Sequence, residues 1–386
     1  MYIPRLVENQ IVTALKNNPV TGLVGPRQCG KSTLAKKILE EYSNVIYLDL
    51  ERPSDLQKLT DPEWFFASQK DMLFCIDEVQ RKPELFPLIR SLVDEWGLNE
   101  KFLILGSASR DLLRQSSESL AGRISYIQLS PFLWDEIDNL IALENYITGG
   151  GFPRSILQEN SALSFKWRED FISTFLERDL LQWSGFSTET MRRLWQMLAH
   201  SNGQTVNYSM LGKSLGVSNV TIRNYIDLLE GTFMLKVVPP YMSNSGKRMV
   251  KAPKVYISDS GLTAALLHLQ TFEQILGSPV LGSLWEQIVL TNLHGHFQSA
   301  RFYFYRTAAG AEVDFVMEYK NQIFAVECKS SVSPSLTKGS YYAIEDINPA
   351  ETYIVAPVEK GWPVKPHIHV VSVKELIFKI RDNIKS

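Results

Sequence analysis

An α/β fold built on a parallel sheet is predicted for the first 150 residues, on three observations. Short apolar segments recur at 21–25, 45–50, 72–76, 102–107 and 124–129. Amphipathic stretches of helical period, such as 85–96, separate them. A glycine-bounded loop joins the first segment directly to the first helix. Strands that alternate with helices pair in parallel, and a parallel sheet is covered on both faces, so its strands read as continuous apolar runs.

The remaining elements follow in order. The composition changes near Thr148-Gly-Gly-Gly-Phe-Pro153, which closes the first domain at residue 150. A helical lid is expected over 151–200 and a winged-helix-like region over 201–262. A second α/β domain is expected over 270–386, with strands at 302–305, 313–317, 323–327, 352–356 and 367–371. The length of 386 residues suits two or three such domains. With 45% hydrophobic and 21% charged residues the chain is ordinary globular material. The formal net charge of −2 gives no global attraction for nucleic acid, so any such contact needs a local basic patch. Three cysteines, Cys29, Cys75 and Cys328, show neither disulfide nor zinc spacing. No signal architecture opens the chain and no apolar run is long enough for a bilayer. A soluble cytoplasmic protein without membrane contact is expected.

The first loop reads Gly25-Pro26-Arg27-Gln28-Cys29-Gly30-Lys31-Ser32-Thr33. Glycine at both ends of a strand-to-helix loop lets backbone N–H groups curl around phosphate oxygens. The helix start adds about half a positive charge facing the anion. Lys31 would reach the β- and γ-phosphates of ATP, and the Ser32 hydroxyl would ligate Mg²⁺. Cys29 is expected to fill space rather than act in redox chemistry.

The apolar segment 72–76 ends in Asp77-Glu78. Acids there lie at the carboxyl edge of a parallel sheet, where ligands of open α/β folds bind. Asp77 would hold Mg²⁺ through water and Glu78 would polarise the attacking water. Ser107, ending the next strand, is a candidate sensor of the γ-phosphate. Arg123 is a candidate arginine finger, since a guanidinium matches phosphate geometry. Arg110, Arg114 and Arg178 compete for that role.

Together Gly25-Pro-Arg-Gln-Cys-Gly-Lys-Ser-Thr-Leu34, Ile76-Asp-Glu-Val-Gln80, Leu105-Gly-Ser107, Leu120-Ala-Gly-Arg123 and Gly150-Gly-Phe-Pro153 closely resemble a prokaryotic AAA-superfamily ATPase family. Members of that family carry a C-terminal domain related to the PD-(D/E)XK nucleases. The resemblance covers essentially the whole chain. It implies a P-loop NTPase core and a PD-(D/E)XK-like α/β domain. By likeness to signalling ATPases it also implies Pro153 near the base or β-phosphate, the alternative being a plain interdomain turn.

Two further patterns lie downstream. In Met210 to Ile226, Leu211, Leu215, Val217, Val220, Ile222 and Ile226 supply a helix-turn-helix interior, Gly216 the turn and Ser218 a cap. A wing hairpin is expected from 234–238 and 247–250. On DNA, Asn219, Thr221, Arg223 and Asn224 would face the groove, with Lys247, Arg248, Lys251 and Lys254 on phosphates. Such modules also serve as lids or protein contacts.

In the last domain Asp314 starts one strand, and Glu327 and Lys329 share a face of the next. Two acids can bind a second Mg²⁺ or Mn²⁺, and the lysine can stabilise phosphate charge. Glu286, on the preceding helix, adds a third carboxylate. The set Glu286, Asp314, Glu327 and Lys329 matches the metal-dependent nuclease arrangement. Two readings follow. One is an ATPase coupled to a nuclease-like domain acting on or near DNA. The other is an ATP-gated signalling protein with a non-catalytic C-terminal interaction module. Protein partners and a homo-oligomer are compatible with both.

Overall fold

The computed structural model describes residues 2–106, 119–179, 187–242, 247 and 249–385. Two compact units emerge, residues 1–132 with 231–233, and residues 133–230 with 234–386. The first unit thus ends at Phe132, before the residue-150 boundary read from composition, because the helices after it pack within the second unit.

The first unit holds five strands, β1 (Val20–Val24), β2 (Val45–Asp49), β3 (Leu73–Asp77), β4 (Phe102–Gly106) and β5 (Ile124–Gln128). All pair in parallel, in the order β2-β3-β4-β1-β5. Every residue of β1, β3 and β4 is buried, as a sheet covered on both faces demands. One face packs Phe66, Phe74 and Phe102 with the helix Leu85–Trp96. The other packs Leu23, Cys75 and Leu105 against helices α1 (Glu8–Asn17) and α2 (Lys31–Leu39).

In the second unit, helices Ser161–Thr174 and Thr188–His200 bury Phe171, Leu194 and Trp195 in one cluster. That cluster takes in the helices Tyr208–Leu215 and Asn219–Gly231 through Leu211, Ile222, Ile226 and Leu229. Gly216 turns the chain between them at φ 68°, and Ser218 Oγ accepts the Thr221 N–H at 3.1 Å. Val220, expected inside, is 65% exposed, since the buried stripe runs through positions 222, 225, 226 and 229. The following hairpin joins β6 (Leu235–Val238) to β7 (Lys254–Ile257), not to residues 247–250. Val250 instead donates its N–H to Arg306 O.

A mixed six-stranded sheet completes this unit. Its strands are β8 (Arg301–Arg306), β9 (Glu312–Tyr319), β10 (Gln322–Cys328), β11 (Glu351–Val355), β12 (Trp362–Lys365) and β13 (Ile368–Val371). Their order is β12-β13-β11-β10-β9-β8. Only the exposed edge strand β12 was not foreseen, having no buried residue to mark it. Phe315, Phe324 and Val326 pack on the helices Leu281–His296 and Val373–Lys385, whereas Val316 and Ala325 face the helix Lys338–Ile347.

Candidate functional site

The loop between β1 and α2 has the geometry of a phosphate cradle. A Cβ on Gly25 would stand 2.2 Å from Leu129 O, so only glycine fits there. Gly30 sits at φ 103° and Gln28 at φ 60°, a backbone course that glycine eases at the helix entry. Lys31, only 6% exposed, folds back so that its ammonium donates to Gly25 O at 3.0 Å and Pro26 O at 2.8 Å. Cys29 is fully buried with Sγ 3.5 Å from Leu129 O, in agreement with a space-filling role.

Arg5 braces the loop from behind. Its guanidinium donates to Cys29 O at 3.1 Å and Ser130 O at 2.7 Å, and its carbon centre lies 4.6 Å from the Phe132 ring centroid. Sequence reading missed it, because an isolated arginine near the start of a chain carries no local pattern.

β3 ends in the acidic pair. Asp77 is 5% exposed; its Oδ1 accepts the Glu78 N–H at 3.0 Å and its Oδ2 the Tyr47 hydroxyl at 2.5 Å. Glu78 takes φ 57°, a left-handed conformation that costs a β-unbranched side chain on the order of 1 kcal/mol. It begins the single turn Val79–Arg81, and the Gln80 amide holds its carboxylate. The loop and the acids meet beside α2: the Tyr47 hydroxyl that reaches Asp77 stands on the face of the sheet that α2 covers. A buried ammonium, helix-start amides, a hydroxyl and a carboxylate are the donor set that a magnesium nucleotide requires, so the residues fit that group.

Arg123 is bound to Asp94, Nε to Oδ1 at 2.5 Å and Nη2 to Oδ2 at 2.8 Å. Ser107, Arg110, Arg114 and Arg248 lie outside the described residues, as does the side chain of Arg178. Gly150 and Pro153 belong to the second unit. There a Cβ on Gly150, at φ 71°, would stand 2.0 Å from Asp259 Oδ1, and Asp259 Oδ2 accepts the Gly151 N–H at 2.7 Å. Gly150 thus has a structural reason of its own. Pro153 opens the short helix Pro153–Ile156.

The second unit does gather Glu286, Asp314, Glu327 and Lys329. It also brings in Lys254, which sequence reading had assigned to DNA phosphates. Lys254 is 3% exposed and lies 3.1 Å from Glu312, 3.6 Å from Asp314 and 3.8 Å from Glu286. It therefore cannot contact a DNA backbone in this conformation. Tyr256 donates its hydroxyl to Glu286 Oε2 at 2.6 Å, and Lys329 pairs with Glu327 at 2.8 Å. Burial, reinforced by the Asp314 charge, holds the Glu286 and Glu327 carboxyls above the usual carboxylate range. Among the described residues no group of three or more His, Cys, Asp or Glu is arranged to hold a metal ion. A second Mg²⁺ or Mn²⁺ site at these carboxylates is therefore not shown, and the Lys254 ammonium stands among them. Lys247, another residue expected on DNA, is bound to both carboxylate oxygens of Asp346 at 2.7 Å. Arg223 stacks 4.0 Å over Tyr208.

The parallel sheet, the cradle and the acidic pair define an AAA-type P-loop ATPase domain, and residues 17–138 match an AAA domain family. Residues 141–273 and 281–376 match two further families, each described as a domain of unknown function (DUF8612 and DUF4143). The chain is 36% identical, over 94% of its length and 82% of theirs, to the uncharacterized proteins Mb2031c of Mycobacterium bovis and Rv2008c of Mycobacterium tuberculosis. It belongs to the family of those two proteins. Among solved structures it is similar to the Walker-type ATPase PABY2304 of Pyrococcus abyssi, at 17% identity and a TM-score of 0.48, over 69% of this chain and 96% of that one. Among the described residues no helix is long and apolar enough to cross a membrane.

Proposed function

We propose that this protein binds and slowly hydrolyses Mg²⁺-ATP in its first unit and uses the nucleotide state to gate its second. The observation that carries the proposal is Lys31, a nearly buried ammonium whose partners are two neutral carbonyls. A cation so placed favours an incoming anion, and the amides at the head of α2 add to that preference. Magnesium, when bound, would neutralise charge on the phosphate oxygens; Ser32 and Asp77 are the residues to hold it. Glu78 accepts a proton from, and orients, the attacking water. Loss of nucleotide binding in Lys31→Ala, with binding kept but hydrolysis lost in Glu78→Gln, is the expected outcome. Hydrolysis at the parental rate in both variants would place the chemistry elsewhere.

For the second unit, the ammonium of Lys254 among Glu286, Glu312 and Asp314 favours a non-catalytic interaction module, which would make this an ATP-gated signalling protein. The nuclease reading rests on Glu286, Asp314, Glu327 and Lys329, and it requires Lys254 to leave. Plasmid and single-stranded DNA incubated with Mg²⁺ or Mn²⁺ separates the two. The module reading predicts equal, negligible cleavage by the parent and Lys329→Ala, whereas cleavage lost in the variant supports a nuclease. A finger role for Arg123, in a homo-oligomer, would require its release from Asp94. A nucleotide contact by Pro153 and a sensor role for Ser107 belong to the same reading. Three buried, unpaired cysteines accord with the reducing cytoplasm.

A further inference from the structure

Tyr47 stands in the middle of β2, the edge strand of the first sheet. Its register partner on β3 is Cys75, two residues before Asp77. Side chains alternate along a strand, so Tyr47, Cys75 and Asp77 project from one face of the sheet. The α2 helix lies on that face: the Lys36 ammonium is 4.9 Å from the Tyr47 ring centroid. The phenol is therefore held by the strand register below and a cation above, and its hydroxyl is aimed rather than free.

That hydroxyl donates to Asp77 Oδ2 at 2.5 Å. The phenol thus fixes one oxygen of a residue expected to hold magnesium. The other Asp77 oxygen is fixed by the Glu78 N–H at 3.0 Å. Each carboxylate oxygen has two lone pairs, so both can still accept a water of a metal's hydration shell. The arrangement orients the carboxylate without consuming it.

We propose that Tyr47 is a positioning residue for magnesium, orienting the Asp77 carboxylate before the metal nucleotide arrives. The proposal rests on the ATPase reading above. Hydrogen-bond partners of metal-holding groups typically change metal affinity by 10–100-fold. Asp77 acts through water, which sets the expectation at the low end, about 10-fold.

Tyr47→Phe in the full chain is the test, since it deletes one oxygen and leaves the ring on its strand. A fluorescent ATP analogue is titrated at rising Mg²⁺ and again in EDTA. The half-saturating Mg²⁺ concentration should rise by about 10-fold. Affinity in EDTA and the melting temperature of the ligand-free protein should stay at parental values. In an Asp77→Asn background the Tyr47→Phe change should add nothing, because the two groups act as one unit. An unchanged Mg²⁺ requirement overturns the proposal, and so does an equal loss of affinity in EDTA. A parent that binds no nucleotide at all overturns the ATPase reading together with this one.

Discussion

Two lysines, one in each unit, are nearly as buried as each other and answer to opposite surroundings. Lys31 is 6% exposed and Lys254 is 3% exposed. The ammonium of Lys31 rests on two neutral carbonyls, and among the described residues no carboxylate pairs with it. The ammonium of Lys254 lies within 4 Å of three carboxylates. Taking a cation out of water is costly unless opposite charge compensates it. Lys254 has that compensation from the chain itself. Lys31 lacks it, and an anionic ligand would supply it. Burial alone therefore does not distinguish the two lysines; the charge of their partners does.

The largest expected difference is in nucleotide affinity. Lys31→Met should weaken Mg²⁺-ATP binding by at least about 100-fold, the loss of one buried charge-assisted contact of roughly 3 kcal/mol. The same change should leave the ligand-free melting transition within about 1 kcal/mol of the parent, since no carboxylate is orphaned. Fluorescence titration and chemical denaturation read the two effects separately.

Lys254→Met should do the reverse. Breaking a buried ion pair by removing one partner costs about 3–5 kcal/mol, so the denaturation midpoint should fall while nucleotide affinity in the surviving folded protein holds. Adding Glu312→Gln, which removes its nearest acidic partner, should restore part of the loss. Equal stability of parent and Lys254→Met would mean that water reaches the cluster and the pairing is weak.

The smallest effect belongs to Arg5. Arg5→Lys keeps the charge but loses the fork that spans Cys29 O and Ser130 O. Nucleotide affinity should fall by roughly 10-fold, about 1.4 kcal/mol, with the Mg²⁺ requirement unchanged. That last clause distinguishes it from Tyr47→Phe.

The legible parts of this molecule are those whose partners are near in sequence. The cradle from Gly25 to Ser32 is one loop, and Asp77 and Glu78 are adjacent. The Gly216 turn and the Ser218 cap are equally local, and both stand as read. The three inner strands β1, β3 and β4 announced themselves because a covered strand has no polar face. What escaped depends on pairing between distant segments. Arg5 reaches Ser130 across 125 positions and Tyr47 reaches Asp77 across 30. The strand partner of β6 proved to be β7, and that pairing carries Lys254 to Glu286, Glu312 and Asp314. The same lysine reads as a surface cation in the sequence, because residue type alone does not reveal which acids will surround it. Tyr47 carried a signal that was overlooked: a hydroxyl in an otherwise apolar strand, two residues before an aspartate, on the face that a parallel register would share with Asp77.

Calorimetric titration of Mg²⁺ and a non-hydrolysable ATP analogue into the full chain, parent beside Lys31→Met, tests the central claim most directly. The account predicts saturable one-to-one binding by the parent and no detectable heat from a variant that melts like the parent. Absence of binding by the parent, or equal binding by both proteins, would contradict it.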